Sequence, residues 1–193
     1  MRQTLSFYRE SQQPTLVSVA EVLYNVLELQ SRHLQVNRIE LSKRYQTDAT
    51  VLGFPVELKQ VFLNLIGNAV QAMPDGGRLR LRVCEHTDPR TQLRGVAVCI
   101  SDTGSGINPE SAKKLFEPFF STKSTKGTGL GLWISKGIVQ KHDGTIHFRS
   151  IRTSRGHATC FRVFLPEHAS ASALKATATA ADAAGRTNGG SIA

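Results

Sequence analysis

The 193-residue chain is predicted to fold as a two-layer α/β sandwich, with helices packed on one face of a mixed β-sheet. Three observations predict this. Segments 18–35 and 55–73 place apolar residues at helical spacing along one side. Segments around 39–45, 79–83, 96–100, 146–148 and 160–165 carry the apolar residues of half-covered strands. The order is helix, strands, helix, strands, helix, hairpin, so the two kinds of element share one core.

Each element has local support. Residues 1–13 read as the close of a helix that Pro14 breaks. Ser18 and Glu21 form a capping box, with Val17 and Val22 placed as a hydrophobic staple. The helix they open is expected to run to about residue 35, burying Val19, Val22, Leu23, Val26 and Leu27. Ile39, Leu41 and Tyr45 alternate as a strand, and a short strand near 50–53 ends at Phe54-Pro55. Pro55 suits a first helical turn, and that helix is expected to reach Met73. Pro74-Asp75-Gly76-Gly77 is a turn. Leu79, Leu81 and Val83 then alternate with Arg78, Arg80 and Arg82, and a polar loop over 86–95 leads to a strand ending at Asp102. Pro109 to Leu115 is a short helix, and 117–129 is a loop rich in Gly, Ser, Thr and Lys. Leu130 to Lys141 is helical and is expected to stop at Gly144 in a left-handed cap. Ile146, Phe148 and then Cys160 to Leu165 close the sheet as a hairpin. From 168 to 193 the composition turns to Ala, Ser, Thr and Gly, expected to be a disordered tail. The folded domain is therefore placed at 14–167.

Composition narrows the function. No apolar run approaches the roughly 18 residues of a membrane span, and Met1 to Tyr8 lacks a signal-peptide core. The chain is expected in the cytoplasm, without membrane contact. Cys84, Cys99 and Cys160 share no ligand spacing and are expected as buried, reduced thiols. The six histidines show no metal-type pairing, so no transition metal is expected. The net charge of +9 raises nucleic acid as a partner. However, the basic residues are dispersed and no aromatics interleave with them. A solvated surface that draws in a polyanionic nucleotide accounts for the charge, and no nucleic-acid partner is expected.

Four blocks carry chemistry. On the 55–73 helix, Glu57, Gln60, Asn64, Asn68 and Gln71 fall on one narrow stripe among apolar residues. Such a stripe is either a half-wet face or a set of neutral oxygens for a hard cation beside phosphates. Asp102-Thr103-Gly104-Ser105-Gly106-Ile107 follows a strand. Its aspartate either caps the turn or accepts a hydrogen bond from a purine amine. Asp-Thr-Gly-Ser is also an aspartic-protease signature, but that chemistry needs a second such turn for its dyad. Leu115 to Lys123 is a phenylalanine block in which Phe116, Phe119 and Phe120 serve as core anchors or as tethers for a lid. Gly127-Thr128-Gly129-Leu130-Gly131-Leu132 is neither a Walker A loop nor a dinucleotide turn. Its glycines allow backbone amides to approach phosphates at a helix N-terminus, or serve as a hinge, or both. Lys123 and Lys126 lie where a lid brings an ammonium to phosphates, unless they are simply solvated.

In order and spacing these blocks resemble the N, G1, F and G2 boxes of the sensor histidine kinase ATP-binding domain, over roughly residues 17–166. The resemblance implies the Bergerat fold, shared with gyrase, MutL-type and heat-shock chaperone ATPases. It implies ATP and Mg²⁺ as cofactors, with Asn68 as the magnesium ligand and Asp102 on adenine, helped by Thr159. It extends the nucleotide site to Gln71, Gly104, Gly106, Ile107, Lys123, Lys126 and the 127–132 loop, including Leu130 and Leu132. Gyrase-type ATPases carry a glutamate where this chain has Asn64. An amide cannot accept the proton of an attacking water, so a histidine is the implied nucleophile. Asn64, Asn68 and Lys123 are the implied catalytic residues. Gln71 departs from the lysine common in these kinases, and Lys123 is the candidate to replace it. His33 to Asn37 has the His-to-Asn spacing of an acceptor motif but lacks its acid and proline, so His33 is expected to be a surface residue.

The family's acceptor histidine lies on a dimerisation domain, whose last turns residues 1–13 resemble. The implied partners are therefore that phosphoacceptor domain, in cis or in trans, and a response regulator receiver domain, within a homodimeric parent. The alternatives are a gyrase- or MutL-type ATPase and a non-catalytic nucleotide-binding module.

Overall fold

A computed structural model describes residues 13–121, 128–153 and 156–167. Five strands form a mixed sheet in the order β2-β4-β5-β7-β6, and β1 pairs with β3 in a separate two-stranded sheet. The strands are β1 (Thr15–Ser18), β2 (Ile39–Tyr45), β3 (Thr50–Gly53), β4 (Gly77–Thr87), β5 (Arg94–Asp102), β6 (Thr145–Thr153) and β7 (Gly156–Pro166). Among the described residues only β2 and β4 run parallel; every other pairing is antiparallel. The helices are α1 (Val19–Val36), α2 (Pro55–Gln71), α3 (Pro109–Lys114) and α4 (Gly131–Lys141). α2 packs between α1 and α4 over one face of the sheet.

The predicted sandwich is thus the observed architecture, and its sequence logic is visible in each helix. Ser18 Oγ accepts from Glu21 N–H at 3.3 Å to start α1, and Val17 and Val22 are both buried beside it. Pro55 opens α2, where a missing N–H costs nothing. Leu58, Val61, Phe62, Leu65 and Ile66 of α2 are fully buried against Leu79, Leu81, Val98, Ile100 and Val163 of the sheet. Each large side chain removed from water contributes about 1.5–3 kcal/mol. Phe62→Ala would cost about 3–5 kcal/mol by leaving a cavity in this layer.

His142, at the C-terminus of α4, ties the layers together. Its Nδ1–H donates to Ile138 O at 2.8 Å, and its Nε2 accepts from Phe54 N–H at 3.0 Å. Those two bonds fix the neutral tautomer and anchor the start of α2.

Four details depart from the sequence reading. Residues 15–18 form β1, which was not expected, because four residues gain strand geometry only through β3. The 86–95 loop is shorter than expected, since β4 extends to Thr87 and β5 begins at Arg94. The left-handed residue after α4 is Asp143 (φ 54°), not Gly144. Asp143 N–H bonds Gln140 O and Gly144 N–H bonds Val139 O, a Schellman closure with Asp143 in the glycine position. Gly144 is needed for space instead, because a Cβ there would lie 2.3 Å from Phe164 O. Finally, the three cysteines are free but only half-buried, on the sheet face turned away from the helices. Residues 1–12 and 168–193, read as a helix end and a tail, lie outside the described residues. Among the described residues no helix is long and apolar enough to cross a membrane.

Candidate functional site

The stripe on α2 divides in two. Asn64, Asn68 and Gln71 line a cleft of about 380 Å³ between α2, the end of β5 and the start of α4. Glu57 does not. It pairs with Lys141 of α4, 84 residues away in sequence. Eleven residues separate Glu57 from Asn68, about 16 Å along a helix, so no carboxylate of α2 joins the amides in the cleft.

Asn64 is spent on structure as well as lining. Its Nδ2 donates to Gly131 O at 3.1 Å and to Ser135 Oγ at 3.2 Å, which fastens the first turn of α4 to α2. α4 has no side-chain N-cap, unlike α1 and α3, which Ser18 and Asn108 cap. Its first-turn N–H groups, at Gly131 and Leu132 beside the cleft, are therefore free of a capping side chain. Uncapped N–H groups and the helix dipole together make such a terminus a phosphate site. Gly131 is spacious: a Cβ there would meet only Asn64, at 3.5 Å. Gly129 is not. It has φ 68°, and a Cβ would lie 2.4 Å from the backbone of Phe119. That contact brings the phenylalanine and glycine blocks together.

Asp102 closes β5, 4% exposed, facing the cleft. One carboxylate oxygen accepts from Gly104 N–H at 2.9 Å, so the aspartate does cap its own turn. Burial nevertheless dominates and raises its pKa above the usual carboxylate value, with the Gly104 bond opposing. A buried carboxylate held by one backbone bond retains capacity to accept from a ligand donor.

The turn after Asp102 is fitted to its surroundings. Ser105 N–H donates to Ala72 O at 3.0 Å, and a Cβ on Gly104 would lie 2.5 Å from that oxygen. Gly106 takes φ 76°. Thr159 faces Asp102 across the β5–β7 ladder and shares a 3.3 Å hydrogen bond with Ser150, which in turn accepts from Ile107 N–H at 3.0 Å. This chain ties three strand ends to the turn.

Of the residues singled out in the sequence, Asn64, Asn68, Gln71, Asp102, Gly106 and Ile107 line the cleft. So do Thr128, Gly129, Gly131, Leu132 and Thr159. Gly104 and Leu130 do not line it; Gly104 packs on Ala72, and Leu130 is the N-cap of α4. Lys123, Lys126 and Gly127 lie outside the described residues. Not assigned to the nucleotide site from the sequence were Ser150, which ties Thr159 to Ile107, and three cleft-lining residues: Ser105 and Leu115, which lie inside the quoted blocks, and Phe161. The last could have been found by extending the strand alternation of β7, since Phe161 shares a face with Thr159. His33 is exposed on α1 and bonds Gln30, far from any acceptor arrangement.

The cleft fits a magnesium nucleotide by its donor chemistry. Among the described residues no group of three or more His, Cys, Asp or Glu could hold a metal by itself. Neutral amide oxygens on α2 beside an uncapped helix end would suit a small hard cation that keeps waters and phosphate oxygens as its main ligands.

Comparison with known proteins identifies the family. Residues 53–169 match the family model described as histidine kinase-, DNA gyrase B-, and HSP90-like ATPase. Sporulation kinase A of Bacillus subtilis is 34% identical over 152 residues, covering 78% of this chain and 23% of that protein. Sporulation kinase C of the same organism is 35% identical over 148 residues, covering 76% of this chain and 32% of that protein. The chain therefore spans less than a third of the length of these curated relatives. Among solved structures, a mycobacterial sensor histidine kinase, MprB, superposes with a TM-score of 0.67 at 32% identity, covering 79% of this chain and 97% of that one. Matched over more than half its length, the chain belongs to the histidine kinase-, gyrase B- and HSP90-like ATPases as an ATP-binding domain of the sensor histidine kinase type.

Proposed function

We propose that the chain binds Mg-ATP in this cleft and transfers the γ-phosphoryl group to a histidine on a dimerisation domain. A response regulator receiver domain then takes the phosphoryl group onward. The observation that carries the reading is the single cleft joining buried Asp102 to the uncapped first turn of α4 along α2. α2 meets the Asp102 turn through Ala72 and α4 through Asn64, eight residues apart, about 12 Å along a helix. An extended nucleotide fits that span, with its base at Asp102 and its phosphates at α4.

In this reading Asp102 accepts the adenine amine and Thr159 supports it. Asn68 would hold Mg²⁺ through its amide oxygen, and the ion would supply charge neutralisation at the phosphates. The backbone of residues 128–132 cradles them, and Lys123 and Lys126 add positive charge. Asn64 is a positioning residue, because its donors hold α4 in place. Catalysis is then orientation plus charge neutralisation. An imidazole is a competent nucleophile without a protein base. Residues 14–167 form the catalytic unit, working in the cytoplasm within a homodimeric parent kinase.

The ATPase alternative needs a base to activate water, and at position 64 the amide nitrogen is already donating to α4. A calorimetric titration with ATP tests the reading: binding is expected to require Mg²⁺ and to be abolished by Asn68→Ala with the fold intact. Affinity unchanged by that substitution would remove Asn68 from the site.

A further inference from the structure

The sheet face opposite the helices carries chemistry that the nucleotide cleft does not use. Arg44, Arg78, Arg80, Arg82, Arg149 and Arg162 share it, and Glu40 is its one carboxylate among the described strand residues. At its centre are two thiols. Cys99 stands opposite Arg82 on β4 and Arg162 on β7. Cys160 stands opposite Ser101 on β5 and Arg149 on β6. The two cysteines are therefore diagonal neighbours across β5 and β7, half-buried on one face, with Cys160 Sγ also 3.8 Å from Phe161 O.

Placed side by side, the two thiols shift one another's acidity in opposite directions. The hydrogen bond from Cys99 lowers Cys160 to about 6 against the effect of burial, with the Ser101 hydroxyl and the Arg162 guanidinium assisting and Asp102 opposing. Cys99 is pushed up, first by the same hydrogen bond and then by burial, with the Cys84 thiol adding and Arg162 opposing. A thiolate amid guanidinium groups and open to solvent is the reactive form of cysteine.

We propose that Cys160 and Cys99 are a peroxide-responsive thiol pair that closes into a cross-strand disulfide and loosens the nucleotide cleft. The Cys160 thiolate attacks one oxygen of hydrogen peroxide, forming an S–O bond as the O–O bond breaks and hydroxide leaves. The resulting sulfenic acid is then attacked by the Cys99 sulfur. An S–S bond forms, the S–O bond breaks, and the departing hydroxide takes the Cys99 proton as water. The two sulfurs supply the electron pair that reduces peroxide.

Coupling to the cleft follows from register. The Ser101–Cys160 rung adjoins the Asp102–Thr159 rung, which lines the cleft. Diagonal neighbours lie about 7–8 Å apart, whereas a relaxed disulfide spans about 5.5–6 Å between Cα atoms. Closing the bridge draws the Cys99–Arg162 rung towards the Ser101–Cys160 rung and so shifts the adjoining Asp102–Thr159 rung. The thiol chemistry stands independently of the proposed function; its effect on nucleotide rests on that reading.

The test treats the full chain with hydrogen peroxide, alkylates the remaining thiols and maps the peptides. The expected product links Cys99 to Cys160 and leaves Cys84 alkylated. Cys99→Ser is expected to stop at a sulfenic acid on Cys160, trapped by a 1,3-dione, while Cys84→Ser behaves as the parent chain. Oxidation of Cys84 as fast as Cys160, or absence of the linked peptide, overturns the proposal. In parallel, Mg-ATP affinity is expected to fall several-fold on oxidation and to recover with dithiothreitol. A linked protein that binds Mg-ATP as tightly as the reduced one overturns the coupling. A reduced chain that binds no Mg-ATP, yet forms the link, overturns the nucleotide reading alone.

Discussion

The Asn64 amide nitrogen lies 3.1 Å from the carbonyl oxygen of Gly131, joining the middle of α2 to the first turn of α4. With the second bond to Ser135, one side chain sets where the uncapped helix end meets the cleft. Site geometry here is built by an amide's donors, while its neighbour Asn68, four residues on, faces the same cleft.

Removing that tie should therefore act on stability and binding together. Asn64→Ala deletes two neutral hydrogen bonds, each worth about 0.5–1.5 kcal/mol. Urea denaturation is expected to show a loss of about 1–3 kcal/mol, accompanied by weaker Mg-ATP binding. A variant as stable as the parent would mean that α4 is held by packing alone.

In the proposed function, Asp102 sets base selection. Asp102→Asn is expected to weaken ATP tenfold or more, the value of one buried hydrogen bond to a charged group at about 1.5–3 kcal/mol, and to blur discrimination against GTP. Competition binding reads both. If the unmutated chain binds the two nucleotides equally, Asp102 does not select adenine.

The same carboxylate predicts a pH dependence. Burial raises its pKa in the folded state, so the native protein holds that proton more tightly than the unfolded chain does. Its contribution to stability is fully present below the ordinary carboxylate pKa and is lost as pH rises through the raised folded value. Thermal melts of the nucleotide-free chain across that window should be flatter in Asp102→Asn than in the parent. Identical pH profiles would show that the carboxylate is already satisfied.

Gly129 tests the loop. Its φ of 68° and the 2.4 Å approach to Phe119 leave no room for a methyl group. Gly129→Ala is expected to weaken nucleotide binding by shifting the 128–131 backbone, with the melting temperature changed little because the loop lies outside the core. Gly131→Ala, which meets only ordinary contact, separates steric demand from phosphate approach. Binding is the readout for both.

Much of this was legible in the chain because it is local. The α2 stripe, the strand alternation and the glycine turn after Asp102 each declare themselves within a dozen residues. What was hidden depends on partners far away in sequence. Glu57 shares the stripe with the cleft amides, but its partner is Lys141, 84 residues away. β1 exists only against β3. Ser150 joins Thr159 to Ile107 through contacts 9 and 43 residues distant. Asp143 takes the left-handed cap because Gly144 is needed where Phe164 passes.

The most direct test of the central claim is phosphotransfer. The chain is incubated with Mg-ATP labelled at the γ-phosphate, alone and with the phosphoacceptor domain of a related sensor kinase. The account predicts ATP binding with negligible hydrolysis and no self-labelling when the chain is alone. With the partner it predicts an acid-labile, base-stable phosphohistidine on that partner, absent with Asn68→Ala. Steady ATP hydrolysis by the isolated chain, abolished by Asn68→Ala and yielding no phosphohistidine, would contradict the kinase reading and identify an ATPase.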